Sequence, residues 1–387
     1  MAWILFSAFY YAPNLISGEL ITGREDNVFH KAFKYIAALL MVFIYIISNK
    51  NAMLFFQGIL LLIMAAIFAI LVYEGINVIF GLETIVVLTT FIGLSYIAAG
   101  LNQNQINVLI RIFIFSAFLI SFISYFEYFL FDQILGDHWR STGGFRSVST
   151  LLNPNNFGVY LGAAMVILVF STVHGVKTKF IFGIIILGAL YLSGSRTAWV
   201  VLGFIVIIGL VHRGGVTVNL RSILQIFALA LIIAFGVLVA ILNQTDLINE
   251  RLTNFETAEI RIEKYFEFIL NADASYLLPD ASESRVVLVS ESGYFHFINS
   301  VGAVVAISIG AILLLNIRVG WVISLFSRSS NRSFALLTLY YAIASFFGNV
   351  LMSFPNNQMF FIAVGVTVAS WRNQQDMMKL KTSPPLT

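Results

Sequence analysis

The 387-residue chain has no cysteine, which excludes disulfides and thiolate metal sites and suits an oxidising or a reducing compartment equally. It is also short of charge: Asp, Glu, Lys and Arg make up 11% of it, where a soluble domain carries about a quarter. The net charge is only +3 and no basic stripe runs along the sequence, so the electrostatic footprint of a nucleic-acid-binding protein is missing. The start, Met1-Ala2-Trp3, lacks the positive n-region of a cleavable signal peptide, and the first apolar run is read as an uncleaved anchor. There is no internal repeat and no low-complexity tract. Nor is there a metal-ligand spacing, a phosphate-cradling glycine-rich loop or a Ser/His/Asp set, so neither cofactor nor metal is expected.

What fills the chain is apolar surface. Hydrophobic residues make up 59% and mean hydropathy is +0.91, the balance of a polytopic membrane protein. A helix crossing a hydrocarbon layer of ~30 Å needs about 20 apolar residues. Such runs recur over 3–17, 33–48, 52–73, 78–99, 108–131, 157–173, 180–192, 197–211, 222–243, 293–315, 334–353 and 358–371. They predict an all-α polytopic integral membrane bundle of about twelve transmembrane helices, a single membrane domain over 1–387.

An even number of spans puts both termini on one side, and the loop cations choose which. With the termini cytoplasmic, twelve of the 22 Lys and Arg residues fall at the inner face, among them Arg111, Lys177, Lys179 and Arg332. Six of the other ten lie in or beside two long loops, where charge has less topological force. Of nineteen acids only Asp376 falls clearly inside, so the outer face is the richer in chemistry. Its two loops, 132–156 and 244–292, hold most of the polar residues. In the second, Phe255, Ile262, Phe266 and Ile269 recur at helical spacing with Glu256, Glu259, Glu263 and Glu267 between them. That pattern is an amphipathic helix, lying either at the membrane interface or as a cover packed on the bundle.

Fixed cations on the outer side need a reason, and anionic phosphate supplies one; Arg140, Arg146, Arg196, Arg261 and Arg285 are the candidates. Arg140-Ser-Thr-Gly-Gly-Phe-Arg146 precedes Asn153-Pro-Asn-Asn-Phe-Gly158. Pro154 with Asn155 or Asn156 is turn and N-cap chemistry that starts the sixth span, and a helix entering from outside also points free N–H groups at a phosphate. Pro355-Asn-Asn357 repeats the device before the last span without an arginine, which favours the structural role there. Ser193-Gly-Ser-Arg196 is a tight outer turn between spans seven and eight. Its arginine either complements the carbonyls that end span seven or is a rigidly held catalytic cation.

Ser290-Glu-Ser-Gly-Tyr-Phe-His296 marks the outer entry of span ten. Glu291 is the best-placed carboxylate for general-base work, because partial desolvation at a membrane edge makes a carboxylate more basic; it also suits a helix N-terminus simply as an anion. His296, a turn deeper, is a second base candidate or a hydrogen-bonded core histidine. Tyr294 and His138, beside Asp137, are secondary candidates.

Taken in order, Arg146, Asn153-Pro-Asn-Asn-Phe-Gly158, Ser193-Gly-Ser-Arg196-Thr-Ala, a long outer loop with Arg261, and Glu291-Ser-Gly-Tyr294 resemble a known superfamily. It is that of the O-antigen and exopolysaccharide polymerases (Wzy-type) and the O-antigen ligases, and the likeness runs from about the fifth span to the tenth. The resemblance implies a GT-C-like membrane glycosyltransferase of the bacterial inner membrane with its active site facing the periplasm. Its donor is then an undecaprenyl-diphosphate-linked glycan, passed to an acceptor hydroxyl with inversion. Carried over by position, Arg146, Arg196 and Arg261 bind the diphosphate, with Arg140, Arg285, Asn155 and Asn156 as further contacts. Membrane lipid, a chain-length regulator and a flippase are the partners the resemblance implies. Ligases usually show a His-Asn dipeptide where this chain has Glu291-Ser-Gly-Tyr294, so the resemblance favours a polymerase with Glu291 as base.

The rival from another class is a transporter, such as a flippase for the same lipid-linked sugar. Transporters place ionisable residues or broken helices near mid-membrane. Here Glu83 and Glu127 are the only acids within the apolar runs, and both stand toward the outer ends.

Overall fold

The computed structural model describes residues 87, 90–91, 93–134, 147, 149–151, 153–211, 256–270, 292–303, 306–307, 331–348, 350, 353 and 355–382. Among these, every regular element is helical. They are α1 (Gln103–Ile134), a 3-10 turn (Ser149–Leu151), α2 (Pro154–Phe170), α3 (Val176–Ser193), α4 (Arg196–Val211), α5 (Glu256–Leu270), α6 (Gly293–Val301), α7 (Asn331–Phe347) and α8 (Asn356–Thr382). Two of them, α1 over Gln103–Phe129 and α3, are long and apolar enough to cross a membrane, while α2 and α4 are apolar but shorter. This part of the chain is compatible with a helical membrane protein. The expected spans at 3–17, 33–48, 52–73 and 222–243 lie outside the described residues.

Capping chemistry, rather than hydropathy, sets the helix ends. α2 begins at Pro154, ahead of the apolar run at 157, because Asn153 caps it. Its extended backbone (φ −137°) lets the side-chain oxygen accept from the amides of Asn155 (2.8 Å) and Asn156 (3.2 Å). The expectation that Asn155 or Asn156 supplies the cap is thereby corrected: both are donors to it. Proline tolerates the first helical position, and the residue before a proline avoids helical backbone, so the capping role falls on Asn153. α3 ends where Gly194 turns left-handed (φ 58°) and returns its N–H to the Tyr191 carbonyl at 2.9 Å. α6 is capped by Ser292 and stops at Gly302 (φ 81°), although the apolar run continues to 315.

At the far ends of α2 and α4, cations take over the closing carbonyls. Lys179 Nζ donates to the carbonyls of Val169 (3.0 Å) and Ser171 (2.6 Å). The Arg332 guanidinium donates to the Gly209 carbonyl and lies 5.9 Å over the Phe170 ring. Each satisfies a carbonyl that has no partner inside its helix and complements the negative helix end. A Cβ on Gly209 would meet the Phe170 ring at 2.3 Å, so α2 and α4 finish side by side.

The described helices fall into two compact units. The first holds α1 to α4 and α7 as far as Ala344. α2 is its centre, almost wholly buried and touching α1, α3 and α4. Small residues admit tyrosines: a Cβ on Gly162 would stand 2.1 Å from the Tyr340 hydroxyl oxygen, and one on Gly188 2.1 Å from that of Tyr125. Those hydroxyls donate to backbone carbonyls, Tyr340 to Val159 (3.1 Å) and Tyr125 to Ile185 (2.9 Å), while Tyr160 and Ser116 share a bond of 2.7 Å. These four hydroxyls are thus satisfied inside an apolar bundle, where leaving them unpaired would be costly. The second unit holds α5 from Ala258, α6, the end of α7, α8 and residues 93–101. Within it Ser95 Oγ donates to the Phe361 carbonyl (2.9 Å), and Gly293 N–H to that of Gly348 (3.1 Å).

Candidate functional site

The starts of α2 and α4 meet in the first unit. Gly158, one turn into α2, lies against Ser195, the residue before α4 begins. Both helices therefore present their N-terminal, partially positive ends at the same place. Arg196 is the first residue of α4 and is half-buried there. The turn that carries it is rigid by construction: Ser193 Oγ donates to the Leu190 carbonyl (2.6 Å) and accepts from the Ser195 amide (3.2 Å), and Gly194 closes α3. The Ser195 hydroxyl is buried and makes no hydrogen bond among the described residues. A guanidinium, a buried hydroxyl and two helix N-termini make this a place suited to an anion.

A carboxylate that the sequence marks only as an acid near the end of an apolar run supports this turn. Glu127, on α1, is buried, and one of its oxygens accepts both the Ser147 hydroxyl and the Ser149 amide (2.9 Å for the latter). Ser147 in turn donates its backbone N–H to the Leu192 carbonyl at 2.9 Å, just before Ser193. Ser149 has left-handed backbone (φ 48°), unusual for a residue with a side chain, and its hydroxyl donates to the Ile120 carbonyl (2.7 Å). An acid within an apolar run is the only sequence signal at Glu127, and its serine partners carry none of their own.

Of the residues singled out in the sequence, Arg196, Asn155 and Asn156 come to this one end of the first unit. Both asparagines are half-buried in the first turn of α2. In the second unit, Tyr294 is half-buried in α6 with its ring 4.5 Å from that of Phe346. Arg261 lies in α5, at the register position one turn before Tyr265, and His296 lies in α6. Arg140, Arg146, Arg285, Glu291 and His138 lie outside the described residues. Among the described residues no group of three or more His, Asp or Glu is placed to hold a metal ion.

α5 is the expected amphipathic helix, and it uses two faces. Phe268 is 4% exposed, packed against Phe295 and Ile298, and the Tyr265 hydroxyl donates to the Phe346 carbonyl (2.8 Å). The apolar stripe read from the sequence faces away instead: Ile262, Phe266 and Ile269 are 51%, 60% and 56% exposed. Glu259, Glu263 and Glu267 flank that stripe and are exposed too. Phe255 lies outside the described residues. One face thus covers the unit and another is left apolar and open.

Comparison of the chain with protein-family models, with curated proteins and with solved structures gives no match.

Proposed function

We propose that the protein is a membrane glycosyltransferase that polymerises undecaprenyl-diphosphate-linked oligosaccharide repeat units into O-antigen or a related surface polysaccharide. In this reading about twelve helices cross the bacterial inner membrane with both termini in the cytoplasm, and the reaction faces the periplasm. The observation that carries it is Arg196 at the head of α4, beside the buried Ser195 hydroxyl and against the start of α2. That combination favours a compact, doubly charged ligand such as a diphosphate. Lys179 and Arg332 close helices at the opposite ends, as cations on a cytoplasmic side would.

The chemistry follows from the charges. An acceptor hydroxyl oxygen attacks the anomeric carbon, the carbon–oxygen bond to the lipid diphosphate breaks, and its electron pair leaves on the phosphate. Arg196 neutralises that departing charge; the resemblance makes Arg146 and Arg261 further cations and Glu291 the base that takes the hydroxyl proton. A lipid diphosphate is a good enough leaving group for this without a nucleotide. Stabilisation that grows as charge develops lowers the barrier selectively.

Deleting the gene and separating surface glycan on a gel tests the reading. A ladder cut to a single repeat is expected; a bare lipid core would indicate a ligase, and repeat units trapped on the cytoplasmic side a flippase. In the complemented strain, Arg196→Ala should abolish long polymer at normal protein level, since losing one such donor costs about 3–4 kcal/mol of barrier. Long polymer from a well-expressed Arg196→Ala strain would remove that residue from the mechanism.

A further inference from the structure

We propose that Glu127 is a positioning residue for Arg196, an inference that rests on the reading of Arg196 as a diphosphate ligand. The connection is continuous and buried. Glu127 accepts from the Ser147 hydroxyl and the Ser149 amide, Ser147 N–H bonds to the Leu192 carbonyl, and Leu192 is the last residue but one of α3, whose closing turn delivers Arg196. Glu127, Ser147, Ser149, Leu192, Ser193 and Ser195 are all buried, so water does not compete for these bonds. A single carboxyl oxygen of Glu127 serves both donors. The left-handed backbone of Ser149 points the same way. Such a conformation persists only where its surroundings over-determine it, and here Glu127 holds the amide while the Ile120 carbonyl holds the hydroxyl.

The effect is to pin the Leu192–Arg196 turn to α1 from one side while Gly158 of α2 backs it from the other. A guanidinium on a turn held in this way need not reorganise as charge appears on the leaving diphosphate. Glu127 itself never meets the reacting atoms.

The full chain in vesicles, supplied with lipid-diphosphate-linked repeat unit, tests this with two readouts. The first is transfer rate. Glu127→Ala should lower kcat about 10- to 100-fold, whereas Glu127→Gln, whose amide oxygen accepts the same two bonds, should stay within about tenfold of the parent. The double variant Glu127→Ala/Arg196→Ala should be no slower than Arg196→Ala alone. The second is amide hydrogen exchange over residues 193–196, which should accelerate in Glu127→Ala and in the milder Ser147→Ala without loss of protection in α2. Additive losses in the double variant would overturn the proposal. So would Glu127→Gln as inactive as Glu127→Ala with a displaced pH profile, because Glu127 would then be a base itself. Exchange at 193–196 left unchanged sinks the brace, while an Arg196→Ala protein that transfers at the parent rate sinks the proposed function, so the two failures are distinguished.

Discussion

A Cβ on Gly158 would stand 2.3 Å from the Cβ of Ser195 and 2.8 Å from Ser193 Oγ, so α2 and the turn before α4 touch where only a hydrogen fits. The nearest atom is a Cβ, which moves only with its backbone. Gly158→Ala is therefore expected to push the Arg196 turn outward, with overpacking of about 1–3 kcal/mol. Thermal midpoints in detergent check this. Gly203, inside α4, is the control: nothing lies within 4 Å of its Cβ position, and Gly203→Ala should leave stability unchanged or raise it by about 0.5–1 kcal/mol. Equal midpoints for the parent and Gly158→Ala would mean that the contact is not tight.

The cap of α2 separates stability from charge. Asn153→Ala removes the acceptor for the Asn155 and Asn156 amides and should cost about 1 kcal/mol, as caps generally do. Asn153→Asp keeps the acceptor and complements the helix end, so it should fold as well as the parent. If an anionic diphosphate binds at this end, the added carboxylate nevertheless repels it, and transfer should fall about tenfold or more by a charge contact of about 1.4 kcal/mol. A fully active Asn153→Asp protein would place the substrate elsewhere.

The helical character of the described residues and the Ser193–Arg196 turn were legible in the sequence because each has a local cause. Apolar runs mark α1 to α4, and Gly194 marks the end of α3. The exact ends were less so: a hydropathy run begins at Phe157, but Asn153 and Pro154 start the helix, since capping depends on polar residues that lie outside the run. Glu127 was visible as an anomaly, whereas Ser147 and Ser149 were not. Their significance comes from a contact across about 20 residues of chain, and such pairings leave no periodic trace. α5 shows the same limit. Its apolar spacing was plain, yet Phe268 rather than Phe266 is the residue packed inside, because the packed face is chosen by Phe295 and Ile298.

That choice gives α5 a test of its own. Phe268→Ala empties a packed site and should destabilise the protein by about 3 kcal/mol or more, while Phe266→Ala, on the open stripe, should change the detergent midpoint little. In brominated-lipid vesicles the order reverses for a reporter. Tryptophan at Phe266 should be strongly quenched by lipids brominated near the headgroup, and tryptophan at Phe268 should not. A quenching-silent residue 266 would take α5 out of the interface.

His174 gives the chain a pH dependence of defined sign. It stands between α2 and α3, half-buried, with Nδ1 enclosed and without a hydrogen bond among the described residues. Burial, then the positive charges of Lys179 and Arg111, lower its pKa below the ordinary 6.5. The native state therefore resists protonation, and below about pH 6.5 the unfolded chain binds the extra proton first. Stability from this group is complete above that pH and is lost as the pH falls toward the depressed native value. The thermal midpoint should drop between pH 7.5 and 5.5, and the drop should be smaller in His174→Gln, in which the carboxylates that also titrate are unchanged. Lys179→Met should shrink the drop as well, by removing the second cause, though it also frees the Val169 and Ser171 carbonyls and so lowers the midpoint at every pH. An identical pH response in the parent and His174→Gln would show that the imidazole does not carry this dependence.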